Sequence, residues 1–466
     1  MWQLAISYVF YSLIDVRFTA ILIAFTLISF LFAKKIENVD TPLKKSRWLY
    51  AGLAIIIALL LLFKYLRFFF GTLDAALISA GLQFDLRGLD LVYPVGVSFY
   101  SLQIVGYLLD VFHGKIHAEN HFGYYALFVS FFPKLLIGPI ERFNQLRPQF
   151  SEPKPFNYQD MVDNLVRIGW GLFKKIVIAD RLAVVANTVF AAPQDFYSPQ
   201  LAYAVFAFSF QIYIDFSAYC DIALGTAKIL GINLVENFNF PYFAKSAVDF
   251  WRRWHISLSN WLRDYVFIPI NFHHRRKKPL KLWLSVDVLL TFLVSGLWHG
   301  ERWTFLIWGA IHGLLQAFEI NTQPLRDRLA AKLAIDRSTF AHKLFQTALT
   351  FILVSFSWIF FKANSVSDAL GILKSILTLD GISAEKAWIF NKGVLGLDSQ
   401  DLWMMGNSLL VFLLVEISSR KQNLISALNK QPTWFRWAIY LLLIFAIVIF
   451  GFYGDATTKE FIYFQF

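Results

Sequence analysis

Two histidines are placed where an imidazole could do chemistry. His299 ends a strongly apolar run, 282–298, and His255 falls inside segment 250–264, whose polar and apolar residues separate onto opposite arcs of a helix. A histidine at membrane depth costs free energy unless it is partnered, so it is a candidate functional residue. A neutral imidazole can act as a general base near neutral pH or as a nucleophile. The alternative interpretation of His299 is a satisfied core histidine.

The segment 250–264 predicts one amphipathic helix. Its apolar arc carries Phe250, Trp251, Trp254, Leu258, Trp261 and Leu262. Its polar arc carries Arg252, Arg253, His255, Ser257, Ser259, Asn260, Arg263 and Asp264, and Ile256 is the apolar exception there. Such a helix either lies at a membrane interface or lines a wet cavity. We expect Arg263 and Asp264 to have partners, because unpaired charge at membrane depth costs about 2.5–3.5 kcal/mol per residue.

A third histidine, His312, follows His299 by thirteen residues. On one straight helix this spacing is about 20 Å of rise and roughly 220° of rotation. The two rings could therefore act together only if the helix breaks, and Gly300 or Gly309 could break it. We predict that His312 is a packed histidine that bonds a neighbouring helix and tolerates substitution. His255 and His299 are expected on different helices and are free to converge.

Other common catalytic patterns are missing from the sequence. It contains no GxGxxG after a strand, no GxxxxGK, no HExxH and no GxSxG. His273 and His274 adjoin each other in a basic run, which is poor spacing for metal ligands, so no metal site is expected. The single cysteine, Cys220, excludes an internal disulfide and is predicted to be a small buried apolar residue.

Composition places the chain among membrane proteins. Of its 466 residues, 57% are hydrophobic and 16% are charged, whereas soluble domains are about 45–50% apolar and about 25% charged. The net charge of +11 is explained by Lys/Arg loops facing the cytoplasm, so no nucleic-acid partner is expected. We predict an all-α polytopic membrane protein, with the lipid bilayer as its surroundings.

Apolar runs predict eleven to thirteen helical segments, some spanning and others re-entrant or interfacial. Residues 4–33 form one long helix or two short ones, and 131–143 is expected to be broken and re-entrant. The basic segments 34–47 and 272–279 are predicted to be cytoplasmic. Residues 321–342 and 363–402 are predicted to be polar loops. No internal repeat is visible.

Several stretches together resemble the membrane-bound O-acyltransferase family, in particular its bacterial alginate O-acetylase and peptidoglycan O-acetylase type. The matching stretches are YPVGVSFYSLQIVGYLLDV (93–111), FFPKLLIGPIERF (131–143), QIYIDFSAYCDIALGTAKILGINLVENFNFPYFAKS (211–246), DFWRRWHISLSNWLRDYVFIPI (249–270), SGLWHG (295–300), FSWIFFKANSVSDA (356–369) and FIYFQF (461–466). One departure is visible after FIPI, where this chain has NFHH (271–274) in place of a glycine-rich turn.

The resemblance implies a single membrane domain over 1–466, with N-terminal helices at 1–90, a catalytic core at 91–320 and C-terminal helices at 321–466. The helices would surround a central tunnel with His299, of the WHG motif, about midway and His255, of the RWH motif, as a second important residue. Trp298, Ser257, Asn260, Arg263 and Asp264 are the candidates for the tunnel wall. In such a tunnel burial keeps a histidine neutral, as a base or a nucleophile must be.

The resemblance also implies a multi-pass protein of the bacterial inner membrane that moves acetyl groups outward for O-acetylation of an extracytoplasmic polysaccharide. The acyl donor would be cytoplasmic acetyl-CoA, with no bound cofactor, and the partner a periplasmic SGNH-type acetyltransferase. Alginate, peptidoglycan, cellulose and lipopolysaccharide all stay open as acceptors. The alternatives are D-alanyl transfer to teichoic acid, a non-catalytic scaffold, and a transporter or flippase that uses Asp215, Asp221 and Glu236.

Overall fold

The regular secondary structure of the described residues is helical throughout. The computed structural model describes residues 2–79, 93–152, 154–277, 281–388, 393–453 and 461–462. Seven helices in these ranges are long and apolar enough to cross a membrane: Val16–Glu37, Pro42–Tyr65, Ser198–Ile229, Leu282–His299, Phe340–Lys362, Ser399–Ser419 and Thr433–Phe450. The predicted all-α polytopic membrane class is confirmed. The helices are more finely divided than expected, because several segments break into short pieces.

The chain packs as two compact units. Unit 1 consists of Met1–Asn157 and Thr226–Val235, and unit 2 of Tyr158–Gly225 and Glu236–Phe466. The predicted division into N-terminal helices (1–90), a catalytic core (91–320) and C-terminal helices (321–466) stays a prediction.

Unit 1 contains the N-terminal helices. They are α1 (Trp2–Ser12), α2 (Val16–Glu37), α3 (Pro42–Ser79), α4 (Val97–Phe112), α5 (Phe122–Ser130), α6 (Phe132–Leu135) and α7 (Phe143–Leu146). Asp15 divides the first apolar stretch into two helices, because its side chain caps α2 by accepting the Arg17 N–H at 2.8 Å. The segment 131–143 is broken, as predicted, into the short helix α6, a non-helical stretch and the start of α7.

A buried cation holds this broken segment in unit 1. The Lys134 ammonium bonds the Gln103 side chain and, at 2.7 Å, the Phe128 carbonyl, while Glu141 accepts the Val235 N–H at 2.7 Å. Both ionisable groups are buried. Burial lowers the pKa of Lys134 and raises that of Glu141, since each loses water around its charged form. These hydrogen bonds tie the broken segment to α4, to α5 and to the backbone at Val235.

Unit 2 contains the remaining helices. They are α8 (Tyr158–Leu172), α9 (Asp180–Ala191), α10 (Ser198–Ile229, whose last turn belongs to unit 1), α11 (Ala247–Trp251), α12 (Ile256–Leu262), α13 (Ile268–Lys277), α14 (Lys281–His299), α15 (Trp303–Lys332), α16 (Phe340–Lys362), α17 (Val366–Thr378), α18 (Ser399–Ser419), α19 (Leu424–Asn429) and α20 (Thr433–Phe450). Short π-helical stretches join α8 to α9 and α12 to α13.

Two stretches predicted as polar loops are largely helical. Helix α15 continues to Lys332, and α17 occupies much of the second stretch. Ser365 caps α17 by accepting the Asp368 N–H at 3.0 Å. The prediction was wrong because both stretches mix charged and apolar residues, as helices with one solvated face do.

Helices α14 and α15 form a tight hairpin that carries His299 at its turn. The chain leaves helical geometry between His299 and Trp303, so the break anticipated at Gly300 is present. A Cβ on Gly296 would lie 2.4 Å from the Phe305 carbonyl oxygen, and one on Gly309 would lie 2.3 Å from that of Phe292. Small residues thus let the two backbones touch, as in other membrane helix pairs.

A buried ion network ties the C-terminal segment of unit 2 to α10. The Lys175 ammonium lies 2.9 Å from both Asp180 and Asp215, and Asp215 accepts the backbone N–H of Ile462 at 2.6 Å. Lys175 also lies over the Phe461 ring, 4.5 Å from its centroid. Residues 463–466 of the FIYFQF stretch lie outside the described residues.

Candidate active site

The predicted amphipathic helix over 250–264 is interrupted at His255. Helix α11 ends at Trp251, and α12 begins at Ile256 after a turn in which His255 adopts a left-handed conformation with φ of 43°. Asn237 holds this turn: its backbone carbonyl accepts the Ile256 N–H at 2.9 Å and its side-chain oxygen accepts the Ser257 N–H at 3.1 Å. A single helical wheel therefore misassigns His255, because two short helices meet there.

The His255 ring is fully buried, not placed on a polar face. It packs edge-to-face against Phe216, with ring centroids 4.8 Å apart, and lies 6.1 Å from Trp298. Burial among aromatic rings lowers the pKa of His255 to about 3, because it penalises the charged imidazolium. The side chain is consequently neutral at physiological pH.

The His299 ring lies in a cage of aromatic edges at the α14–α15 turn and is 5% exposed. Its centroid is 4.8 Å from Trp298, 5.0 Å from Trp308 and 5.3 Å from Phe361, and all three contacts are edge-to-face. These rings fix the direction of the imidazole and limit access of water to it.

Trp298 brings the two histidines together. Its indole contacts His299 directly and His255 at longer range, so the rings of the two motifs lie at one aromatic side chain. Their convergence from different helices agrees with the sequence-based expectation. The arrangement provides two buried imidazoles at a site that could place a base beside one reacting hydroxyl.

His312 is a packed histidine, as predicted, and its bonds define its tautomer. The Trp251 indole donates to Nδ1 at 3.1 Å, so the proton of the neutral ring is on Nε2, which lies 2.8 Å from the Ser357 hydroxyl. His312 also contacts Trp308, the indole that supports His299, at 5.1 Å between ring centroids. The expected tolerance to substitution does not follow from this geometry, because both ring nitrogens are bonded.

The predicted tunnel-wall residues lie in different environments. Ser257 is buried, Trp298 and Asn260 are half-buried, and Arg263 is exposed. Arg263 pairs with the adjacent Asp264 at 2.9 Å, and its side chain is 58% exposed. Partners were expected for both charges, and each has the other as its partner in this ion pair. Their place on a tunnel wall stays a prediction.

A cavity of about 1380 Å³ lies within unit 2. Neither His255 nor His299 is among its described lining residues, but Asn237, which holds the His255 turn, is. Sequence reasoning did not single out Asn237, Trp308 or Phe361. The first lies in the quoted stretch 211–246, and the aromatic residues after the WHG motif were the available signal for the other two.

The chain is similar to one protein family and to several individual proteins of known name. Residues 3–366 match the model of MBOAT, the membrane-bound O-acyltransferase family. The chain is 33% identical to the peptidoglycan O-acetyltransferase of Helicobacter pylori, over 82% of this chain and 74% of that protein. It is 35% identical to the probable alginate O-acetylase AlgI of Pseudomonas syringae pv. tomato, over 78% of this chain and 67% of that protein. The teichoic acid D-alanyltransferase of Bacillus subtilis is 29% identical over 48% of this chain and 58% of that protein.

Proposed function

Because this chain belongs to the membrane-bound O-acyltransferase family, we propose that it transfers acetyl groups from a cytoplasmic donor, acetyl-CoA, for O-acetylation of an extracytoplasmic polysaccharide. The observation that carries the proposal is the convergence of His255 and His299 at Trp298. Relatives named as peptidoglycan O-acetyltransferase and alginate O-acetylase favour acetyl over D-alanyl transfer, because they match far more of the chain.

His299 acts on the reacting groups. The acceptor hydroxyl attacks the thioester carbonyl, its proton passes to the imidazole, and the thiol leaves with a proton returned by the ring. In the alternative course the imidazole attacks the thioester carbonyl, the thiolate leaves and takes up the ring proton, and an acyl-imidazole remains. The acceptor hydroxyl then attacks the acetyl carbonyl, and the departing imidazole takes up the hydroxyl proton. Both courses require a neutral ring in a site to which water has little access. His255, held at a left-handed turn by Asn237, orients or polarises the same site.

The decisive variant is His299→Ala. Loss of a general base typically costs about 10²–10⁴-fold in rate, and loss of a nucleophile at least as much. Acetylation would be measured as acetate released from the isolated polymer in cells lacking the native enzyme. His121→Ala, at an exposed position of unit 1, is the matched control and should keep normal acetylation. Near-normal acetylation by a well-folded His299→Ala protein would overturn the assignment.

Base and nucleophile can be separated by a labelled donor. Incubation of the purified protein with radiolabelled acetyl-CoA, without acceptor, leaves label on the peptide containing His299 only if the ring is a nucleophile. His255→Gln should retain partial activity, because an amide can keep an orienting contact but cannot transfer a proton.

A transporter is disfavoured, because the carboxylates that would serve it already have ion-pair partners. Asp221 pairs with Arg167 at 2.8 Å and Lys174 at 2.7 Å, Glu236 pairs with Arg167, and Asp215 is engaged by the Lys175 network. Purified protein in liposomes distinguishes the classes, because a transporter moves an intact solute whereas an acyltransferase consumes the acyl donor. A scaffold would keep acetylation in the His299→Ala protein.

The cytoplasmic donor side and the inner membrane are proposed from charge. The segments 34–47 and 272–279 concentrate Lys and Arg beside candidate spans, and the second is described as far as Lys277. Cysteines at Asn38 and Lys277 should react only with label supplied from the cytoplasm, and the buried native Cys220 should give little background. Labelling of either position from outside would reverse this topology. The acceptor-side partner we propose is a periplasmic SGNH-type acetyltransferase.

A further inference from the structure

The cavity of unit 2 is long as well as large. At about 1380 Å³ it exceeds the roughly 300–1,000 Å³ of ordinary small-molecule pockets. Trp403 and Ser419 both line it and lie on α18, separated by sixteen residues, or about 24 Å at 1.5 Å per residue. The hydrocarbon core of a bilayer is about 30 Å thick. The cavity therefore follows most of one membrane span, which suits an elongated ligand.

Most of the cavity wall is apolar. Val411 and Val415 of α18, Leu443 and Ala446 of α20, and the indole of Trp170 in α8 line it. Both α18 and α20 are candidate spans with little of their apolar surface buried in the protein. A hydrocarbon chain is the ligand that such a wall can take from water or from the bilayer without leaving polar groups unpaired.

The charged residues that line the cavity lie toward one of its ends. Arg167 pairs with Asp221 and Glu236, Lys174 pairs with Asp221, and Glu416 accepts a hydrogen bond from Tyr213 at 2.8 Å. Glu416 lies three residues before Ser419, whereas the lining residues toward the other end of α18, Gln400, Trp403, Met404 and Asn407, carry no charge. These lining residues include two cations and three carboxylates. Such a mixture of charges is more complementary to a ligand that carries both a positive and a negative charge than to a polyanion such as a nucleotide phosphate.

The charged end lies beside a basic connection. Arg420 and Lys421 directly follow α18, and Lys430 follows α19. Basic residues next to a span favour the cytoplasmic side. The charged end is thus expected at the headgroup level of the cytoplasmic leaflet.

From these features we propose that the cavity is a lipid site, occupied by a membrane phospholipid with a zwitterionic phosphate–amine headgroup. The acyl chains lie between α18 and α20, and the headgroup lies among Arg167, Lys174, Glu236 and Glu416. The site is separate from the two imidazoles and does not depend on the proposed acetyl transfer.

The lipid site borders the structure that holds His255. Asn237 and Phe238 line the cavity. Asn237 bonds the first turn of α12, and Phe238 contacts Phe216, whose ring packs on His255, at 5.0 Å between centroids. A bound lipid would therefore pack against Asn237 and Phe238, the residues that support the left-handed turn at His255.

Matched tryptophan variants of one helix test the site. Val411→Trp and Val415→Trp would place an indole in the cavity that these residues line, whereas Leu410→Trp and Leu414→Trp change residues of the same helix that do not line it. Lipid retained after extensive detergent washing would be quantified by mass spectrometry. We expect at least tenfold less phosphatidylethanolamine on the cavity-filling variants than on the controls. Equal retention in all four well-folded proteins would overturn the site.

The unaltered protein provides the second measurement, which does not depend on the folding of variants. A photoactivatable phosphatidylethanolamine in vesicles should crosslink to peptides from α18 and α20. Unlabelled phosphatidylethanolamine should compete at least tenfold better than phosphatidylglycerol. Equal or better competition by phosphatidylglycerol would overturn the headgroup assignment, and displacement by acetyl-CoA would make the cavity a donor site instead.

Discussion

Burial of a neutral His255 predicts that this one residue makes folding sensitive to mild acid. The ordinary pKa of histidine is about 6.5, and burial lowers that of His255 to about 3. As the pH falls below 6.5, His255 binds a proton in the unfolded chain but not in the folded protein. The stabilising contribution of the neutral ring is therefore complete above pH 6.5 and is lost progressively as the pH falls toward 3.

The size of this effect follows from proton linkage. A group that is protonated only in the unfolded state removes about 1.4 kcal/mol of unfolding free energy for each pH unit. Between about pH 7.5 and about pH 5.5, His255 alone should lower the free energy of unfolding by about 1.4 kcal/mol. For a chain of this length that corresponds to a drop of about 1–2 °C in Tm.

The assay is thermal unfolding of the detergent-purified protein, followed by fluorescence of its 15 tryptophans at several pH values. His255→Gln removes the titrating group, so its Tm should fall less on acidification than that of the unaltered protein. Phe216→Leu is the control: it removes a ring that packs on His255 and should lower Tm about equally at every pH. Identical pH dependence in the His255→Gln and unaltered proteins would show that the ring is solvated or charged when folded.

Two further outcomes are expected from packing around the hairpin. His312→Ala removes the acceptor of the Trp251 indole and should cost about 2–5 kcal/mol of stability. Thermal unfolding should show this as a lower Tm, and His312→Gln should restore part of the loss. An unchanged Tm would mean that water replaces these bonds at no cost. Gly309→Ala places a Cβ against the Phe292 carbonyl oxygen and should reduce the yield of folded protein in detergent. Gly371→Ala is the control and should not reduce the yield, because its Cβ meets nothing within 4 Å. Equal yields would contradict the close approach of the two helices.

The parts that sequence reasoning predicted correctly depend on local signals. Apolar runs identified the membrane class and most spans, and Gly300 correctly marked the possible break between His299 and His312. The chemistry of His312 was also accessible, because a buried imidazole needs partners whatever the fold. Ser365 and Asp368 give a capping pattern that predicts α17, so that error was avoidable.

The parts that sequence reasoning missed depend on contacts between distant residues. Nothing between positions 250 and 264 signals a left-handed residue, since the turn at His255 is held by Asn237, which precedes it by eighteen positions. Helical periodicity assumes an unbroken helix, and bonds from another segment override it. The cage around His299 was equally inaccessible, because Trp308 and Phe361 reach it from α15 and α16.

The bond between Asp215 and the Ile462 N–H can form only late in the synthesis of the chain. Ile462 leaves the ribosome 247 residues after Asp215, when α10 and the helices around it have already been made. Until then the carboxylate shares the Lys175 charge but lacks its backbone donor in a site closed to water. A product truncated before Ile462 would leave the buried Asp215 carboxylate without this donor, and we expect it to be less stable than the unaltered protein.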